Sequence, residues 1–264
     1  MVRRRTGALL PRYLRRIFRH DPGGATKSWQ TPGRAGAVAL RKRGGVVVAV
    51  ETSFYALNLV SWAAETIAGP AFDGSYLTVN DGATDRRDRF LFGATSTQLD
   101  DPQADGGLFS LGTSHRISKL DSGIHQSNSH CLSPDGCTLY SADSFVRTVF
   151  AYDYDPETGQ IATKRVFAGT SELGGVPDGS AVDADDMVWV TIFQGGKVVA
   201  FRPDGDIGRV IEMPVTLISS AAWGRAEPRP ALCHDDQSHA IRLASAGRVG
   251  LRLCRRRTGF ARPP

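Results

Sequence analysis

Three oxygen-bearing side chains, Asn80, Asn128 and Asp178, stand 48 and 50 residues apart in this 264-residue sequence. Each lies five residues ahead of the first residue of a polar turn, at Asp85, Ser133 and Asp183 respectively. Residues at one phase of an internal repeat occupy one place in the repeated structural unit, so these oxygens are expected to converge. Convergent carboxamide and carboxylate oxygens suit a hard divalent cation such as Ca²⁺ or Mg²⁺, and one carboxylate with amides can also hold Zn²⁺ or Mn²⁺. Taken singly, Asn80-Asp81-Gly82 and Pro177-Asp178-Gly179 are turn signals. Their shared phase is what favours a site. A fainter copy of the repeat places Gly36 at the same position, which supplies no side chain.

Other reactive groups carry less. Ser129-His130 joins a nucleophile to a base, but neighbours in a strand point to opposite faces. His234 and His239 stand five apart in an unpatterned tail and read as incidental. Asp185-Asp186 and Asp204-Gly205-Asp206 read as turn residues, since no twelve-residue calcium loop follows them. Cys131, Cys137, Cys233 and Cys254 form no CxxC, so structural thiols in a reducing compartment are expected, with Cys131 and Cys137 flanking one turn. Trp29, Trp62, Trp189 and Trp223 are expected to pack between repeat units.

The elements that must position these residues repeat with them. DRRDRFLFGAT from Asp85, SPDGCTLYSAD from Ser133 and DADDMVWVTIF from Asp183 each follow a polar turn with alternating aliphatic and aromatic residues, and RKRGGVVVAVE from Arg41 is the fainter copy. Between them recur a second short strand (FYALNL, GGLFSLG, RTVFAYDYD, KVVAFRPD) and a third (ETIAG, HRISKLD, ATKRVFAG, GRVIEMP). Short strands at this spacing, with Gly, Pro and Asp punctuation and no helical period, predict an all-β fold. A period near 45–50 residues with several strands per unit predicts a β-propeller, with a β-sandwich as the alternative.

Charge divides the chain differently. Residues 1–43 carry 12 basic side chains against one acid, residues 44–224 carry 11 against 23, and residues 225–264 carry 9 against 3. The net charge of +5 therefore describes the ends, and an acidic body excludes a nucleic-acid binder that would need clustered Lys and Arg on its folded surface. Leu10, Leu14, Ile17 and Phe18 would share a helical face among arginines, although a basic extension in solution is the plainer expectation. No apolar stretch reaches the roughly 20 residues of a membrane span, and no signal-peptide core is present, so a cytoplasmic protein is expected.

VNDGATDRRDRFLFGAT, QSNSHCLSPDGCTLYSADS, FAYDYDPETGQIATKRVFA and GVPDGSAVDADDMVWVTIFQGGKVVAFRPDG resemble, in order, the gluconolactonase, regucalcin and senescence marker protein family. The resemblance covers residues 16–224, with residues 1–15 and 225–264 as unmatched basic ends. It implies a six-bladed propeller, here with about four complete blades plus part of a fifth. It also implies a divalent metal, Ca²⁺ or Zn²⁺ and otherwise Mn²⁺ or Mg²⁺, that serves hydrolysis of a small sugar lactone. On this chain it assigns Asn128 and Asp178 as metal ligands, Asp178 also as general base, and Asn80 to substrate or a bound water.

Three departures set the alternative, a non-catalytic remnant or binding module. The family's first-blade Glu, in an EGP-like phrase, has no match. The substrate-contacting Arg two residues before the Asn of its NDG phrase is Thr78 here. The ends lack blade grammar, as out-of-frame translation of a high-GC gene would. Open blade edges in such a chain predict oligomerisation or aggregation.

Overall fold

Alternating aliphatic and aromatic stretches form short antiparallel strands, and each connection is short enough to bring a strand back beside its predecessor. A computed structural model describes residues 8–11, 15–20, 26–72, 76–97, 106–223, 231–235, 240–243 and 252–253. The first sheet comprises β1 (Ala8–Pro11), β2 (Arg16–His20) and β3 (Thr26–Gln30). The second comprises β4 (Ala35–Leu40), β5 (Val46–Val50), β6 (Ser53–Leu57) and β7 (Ala64–Ala68). The third holds β8 (Leu77–Thr84), β9 (Phe90–Ser96), β10 (Gly106–Leu111) and β11 (Ile117–Ile124). The fourth holds β12 (Ser127–Leu132), β13 (Thr138–Asp143), β14 (Thr148–Tyr154) and β15 (Ile161–Gly169). The fifth is β16 (Val176–Val182), β17 (Val188–Phe193), β18 (Lys197–Phe201) and β19 (Ile207–Glu212). The sixth is β20 (Ile218–Trp223), β21 (Ala231–Asp235), β22 (Ala240–Leu243) and β23 (Arg252–Leu253).

Every sheet is a meander of strands paired in chain order, the organisation of a propeller blade. The leading strands lie against one another in sequence, β4 on β8, β8 on β12, β12 on β16 and β16 on β20, and so form the inner wall. The repeated segments fall where the sequence places them, their alternating halves forming β5, β9, β13 and β17.

The ends differ from the sequence expectation. Among the described residues five sheets have four strands and one has three, more than the four blades and part of a fifth read from sequence. Ala231–Asp235 pairs with β20 in the register Trp223↔Ala231, and β22 and β23 extend that sheet, although this tail shows no alternation. Backbone pairing needs no alternation when strands are two to five residues long, which is why the pattern was silent. At the other end Arg16–His20 is a strand paired on both sides, not part of a helix, and Leu10 and Phe18 are backbone partners in its register.

Apolar side chains fill the gaps between consecutive sheets. Phe54 of the second sheet packs edge-on to Phe92 of the third at 4.7 Å, and Phe92 stacks on Phe109 at 5.4 Å. Leu91, Leu108 and Ile124 meet Leu139, Tyr152 and Tyr154 between the third and fourth sheets. Val149 and Ala151 meet Val188, Val190 and Phe201 between the fourth and fifth. Fully burying residues of this kind contributes about 1.5–3 kcal/mol each, so the gaps between sheets carry the fold. The outer strands face water: β15 exposes Lys164 and Arg165, and charge on an edge discourages pairing with another chain. Trp29 and Trp189 pack between sheets as expected, but Trp62 is 59% exposed in a turn with φ of 66°. Trp223 lies in β20, but its side chain falls outside the description.

Candidate functional site

Register breaks mark one level of the inner wall. Pairing with the second strand shifts between Ala35 and Ala37 in β4, between Val79 and Asp81 in β8, and between Asn128 and Cys131 in β12. It shifts again between Pro177 and Ser180 in β16 and between Ile218 and Ser220 in β20. A bulge leaves residues unpaired and re-aims their side chains, and bulges are frequent beside active sites. The sites of these breaks are Gly36, Asn80, Ser129-His130 next to Asn128, Asp178-Gly179, and Ser219. Repeat phase had picked out the first four of these five levels without signalling that the strand bulges there.

Adjacent bulges touch. A Cβ on Gly36 would lie 2.0 Å from the Val79 carbonyl oxygen, so only glycine lets β4 approach β8 so closely. Asn80 Nδ2 donates to Asn128 Oδ1 at 2.8 Å and to the Ser127 carbonyl at 3.1 Å. Asn128 Nδ2 donates to Ser144 Oγ at 2.8 Å, and Ser144 Oγ donates to the Pro177 carbonyl. Ser129 Oγ donates to the Asp178 carbonyl. A hydrogen-bonded arc thus runs from the third sheet through the fourth to the fifth and links Asn80, Asn128 and the backbone of Asp178. Asn128 is 4% exposed, whereas Asn80 and Asp178 are half-buried.

Ser129 holds its position against local preference. Its φ is 58°, in the left-handed region that costs a non-glycine residue roughly 1–2 kcal/mol, and it is fully buried. His130 turns the other way, toward the third sheet, so Ser129 and His130 serve different neighbours.

A second constellation escaped sequence reading. His130 Nε2 lies 3.2 Å from Ser127 Oγ, and its Nδ1 lies 3.3 Å from Asp81 Oδ2. Ser, His and Asp in that order are the parts of a nucleophilic relay. Burial decides against one here: Ser127 and the His130 ring are fully buried, and a Cβ on Gly93 would fall 2.3 Å from Ser127 Oγ. With no room for an acyl group, the three tie the third and fourth sheets together. Asp81 and His130 are each within two residues of a repeat-phase position, which is the signal that could have found them.

Thr78 is 4% exposed, with its hydroxyl 3.4 Å from the Glu51 carbonyl, and brings no cation. Cys131 and Cys137 are free thiols; burial pushes the Cys131 thiol up to about 12 despite the Ser180 hydroxyl hydrogen-bonded to it. Asp183 and Asp204 hold turns through N–H groups of nearby residues. His239 lies outside the described residues, as does the side chain of His234.

The model of the SMP-30/gluconolactonase/LRE-like region matches residues 13–230. The chain belongs to this family. Among its relatives, regucalcin of Xenopus laevis is 33% identical over 216 residues, which is 79% of this chain and 72% of the relative. The 6-deoxy-6-sulfogluconolactonase of Pseudomonas putida is 31% identical over 218 residues, 81% of this chain and 73% of that protein. The chain spans 64% to 73% of the length of the curated relatives it matches. In fold, it superposes on regucalcin from Agrobacterium tumefaciens, described as a calcium-binding protein, with a TM-score of 0.78, 20% identity and coverage of 87% of this chain and 85% of that one. The family fold and the sheet meander agree on a six-bladed type of propeller.

Within that frame, the donor set can be tested against a metal. Among the described residues no group of three or more His, Cys, Asp or Glu is placed to hold an ion. The first sheet has three strands, and counting inward from β3, the outer strand that leads into β4, the innermost strand is the one lacking among the described residues. The position that would carry the family's first-blade Glu therefore has no counterpart there. What stands at the repeat-phase positions is one carboxylate, Asp178, and the Asn128 amide oxygen, hard donors of the kind that suit a loosely held oxygen-preferring cation.

Proposed function

We propose that this chain hydrolyses a small sugar lactone at the inner-wall bulges, with a divalent cation of the Ca²⁺ type held by Asn128 and Asp178. The observation that carries the reading is the arc that joins Asn80, Asn128 and the Asp178 backbone across three sheets. Family membership supplies the substrate class. When bound, the cation would supply Lewis-acid polarisation of the lactone carbonyl.

The chain's own residues do the rest. Asp178 accepts a proton from the attacking water as its oxygen bonds to the carbonyl carbon, and returns that proton to the ring oxygen when the carbon–oxygen ring bond breaks. The products are a hydroxyl and a carboxylic acid, and Asp178 ends as it began. Asn80 gives its amide protons to protein acceptors, so its role toward substrate is that of a hydrogen-bond acceptor for a sugar hydroxyl. The Ser129 hydroxyl on the Asp178 carbonyl holds the base's backbone still. The arrangement asks Asp178 for about 10²–10⁴ in rate.

Hydrolysis of glucono-δ-lactone with added Ca²⁺, Mn²⁺ or Zn²⁺, parent against Asp178→Ala, tests the reading. Metal-dependent hydrolysis lost in the variant supports it, and equal rates in both proteins end it. A second reading, a non-catalytic member of the family, is favoured by one specific feature: buried Thr78 in place of a cationic donor.

A further inference from the structure

Turning the Asn128 carboxamide by 180° would exchange its oxygen for an NH₂ group of nearly the same shape, and an NH₂ repels a cation. Something must set which end faces the site, and the hydrogen bonds identify it. From one side comes Asn80, whose NH₂ reaches both the Ser127 carbonyl and Asn128. A carbonyl can only accept, so Asn80 must present NH₂ on this side, and Asn128 must meet it with its oxygen.

From the other side comes Ser144, in the turn that follows β13, anchored by its own N–H on the Gln126 carbonyl. A hydroxyl has one proton, and Ser144 gives it to the Pro177 carbonyl. Only lone pairs remain for Asn128, which must therefore present its NH₂ there, as it does at 2.8 Å. Ser144 is fully buried and Asn128 nearly so, which leaves no solvent to stand in for either bond. Pro177 immediately precedes Asp178, so the same hydroxyl that orients the amide also fastens the backbone leading to the carboxylate.

We propose that Ser144 is a positioning residue: it locks the Asn128 amide with its oxygen toward Asn80, and its bond to the Pro177 carbonyl links that orientation to the segment carrying Asp178. The use made of the orientation rests on the metal-site reading above, whereas the orientation itself does not.

Two measurements separate these layers. In metal-free protein, hydrogen exchange of the Asn128 side-chain NH₂ followed by NMR is expected to be protected in the parent and at least about tenfold faster in Ser144→Ala. Equal exchange in the two proteins, or no protection in the parent, overturns the proposal. Mn²⁺ affinity is then measured for the parent, Ser144→Ala, Asn128→Ala and the double variant. Ser144→Ala is expected to weaken binding about tenfold, and the double variant to lose clearly less than the two single losses combined, because the part of the Ser144 effect that passes through Asn128 has nothing left to act on. Additive losses would make Ser144 a general structural residue and overturn the proposal. A parent that binds no Mn²⁺ sinks the metal reading and leaves the exchange result to decide the orientation. Ser144→Cys, close in volume but a poor hydrogen-bonding partner, repeats both measurements should Ser144→Ala fail to fold.

Discussion

Five residues separate the inner-strand bulges from the hairpin turns in each repeat, and the two levels use the same side-chain chemistry in opposite ways. At the turns, oxygens are satisfied close to home. Asp85 accepts the N–H groups of Arg87 and Arg89 on one oxygen and the Arg89 guanidinium on the other, with the Tyr154 hydroxyl as its one distant donor. Asp183 accepts from the N–H groups of Asp185 and Met187 and from the Trp189 indole, all within six residues. At the bulges, Asn80, Asn128 and Ser129 find partners 16 to 49 residues away. A turn carboxylate closes a hairpin, whereas a bulge residue joins blades. The lesson is that an Asp or Asn in a β-repeat is a candidate for function where the strand around it is unpaired, not where the turn already consumes its oxygens.

That contrast can be broken by substitution. The largest effect is expected from Asp178→Ala, which should lower lactone hydrolysis about 10³-fold with a melting temperature within a few degrees of the parent. A similar rate would place the bulge carboxylate among the structural ones. Next, Asp85→Ala takes the acceptor from Arg89 Nε and from the buried Tyr154 hydroxyl and should cost about 3–5 kcal/mol in urea unfolding while hydrolysis per folded molecule is unchanged. Asp183→Ala, at a more exposed turn, should cost about 1–2 kcal/mol by the same measurement. If Asp183→Ala instead matched Asp178→Ala in activity, the division between levels would fail.

The smallest effect concerns the thiols. Burial holds the Cys131 thiol up to about 12, above the roughly 8.5 of a free thiol, so the folded state favours its neutral form. Its stabilising contribution is complete below the unfolded value and declines as pH rises from there toward about 12. Exposed Cys137 should react with a thiol reagent at pH 8 in native protein, and Cys131 only after unfolding. Equal labelling rates would show that the gap between the fourth and fifth sheets opens readily.

Much of this was legible beforehand. Strand alternation in FLFGAT, LYSAD and WVTIF located β9, β13 and β17, because each of these strands must present apolar side chains to the gaps on both faces. The ends were not legible, since β1, β21, β22 and β23 are held by backbone pairing that any sequence can supply. Ser129 could be judged a poor partner for His130 from strand geometry. That Ser127 would be the partner instead could not, because the bulge after Asn128 rotates the chain between them.

Repeat phase alone established that Gly36, Asn80, Asn128 and Asp178 occupy one level of successive units, since identical local folding puts equivalent residues at equivalent depth. It could not say which atoms meet. Asn80 reaches Asn128, and Ser144 reaches back to Pro177, only once separate sheets pack face to face and their inner strands bulge toward one another. Contacts between residues tens of positions apart depend on distances that packing sets, and local sequence carries no term for them.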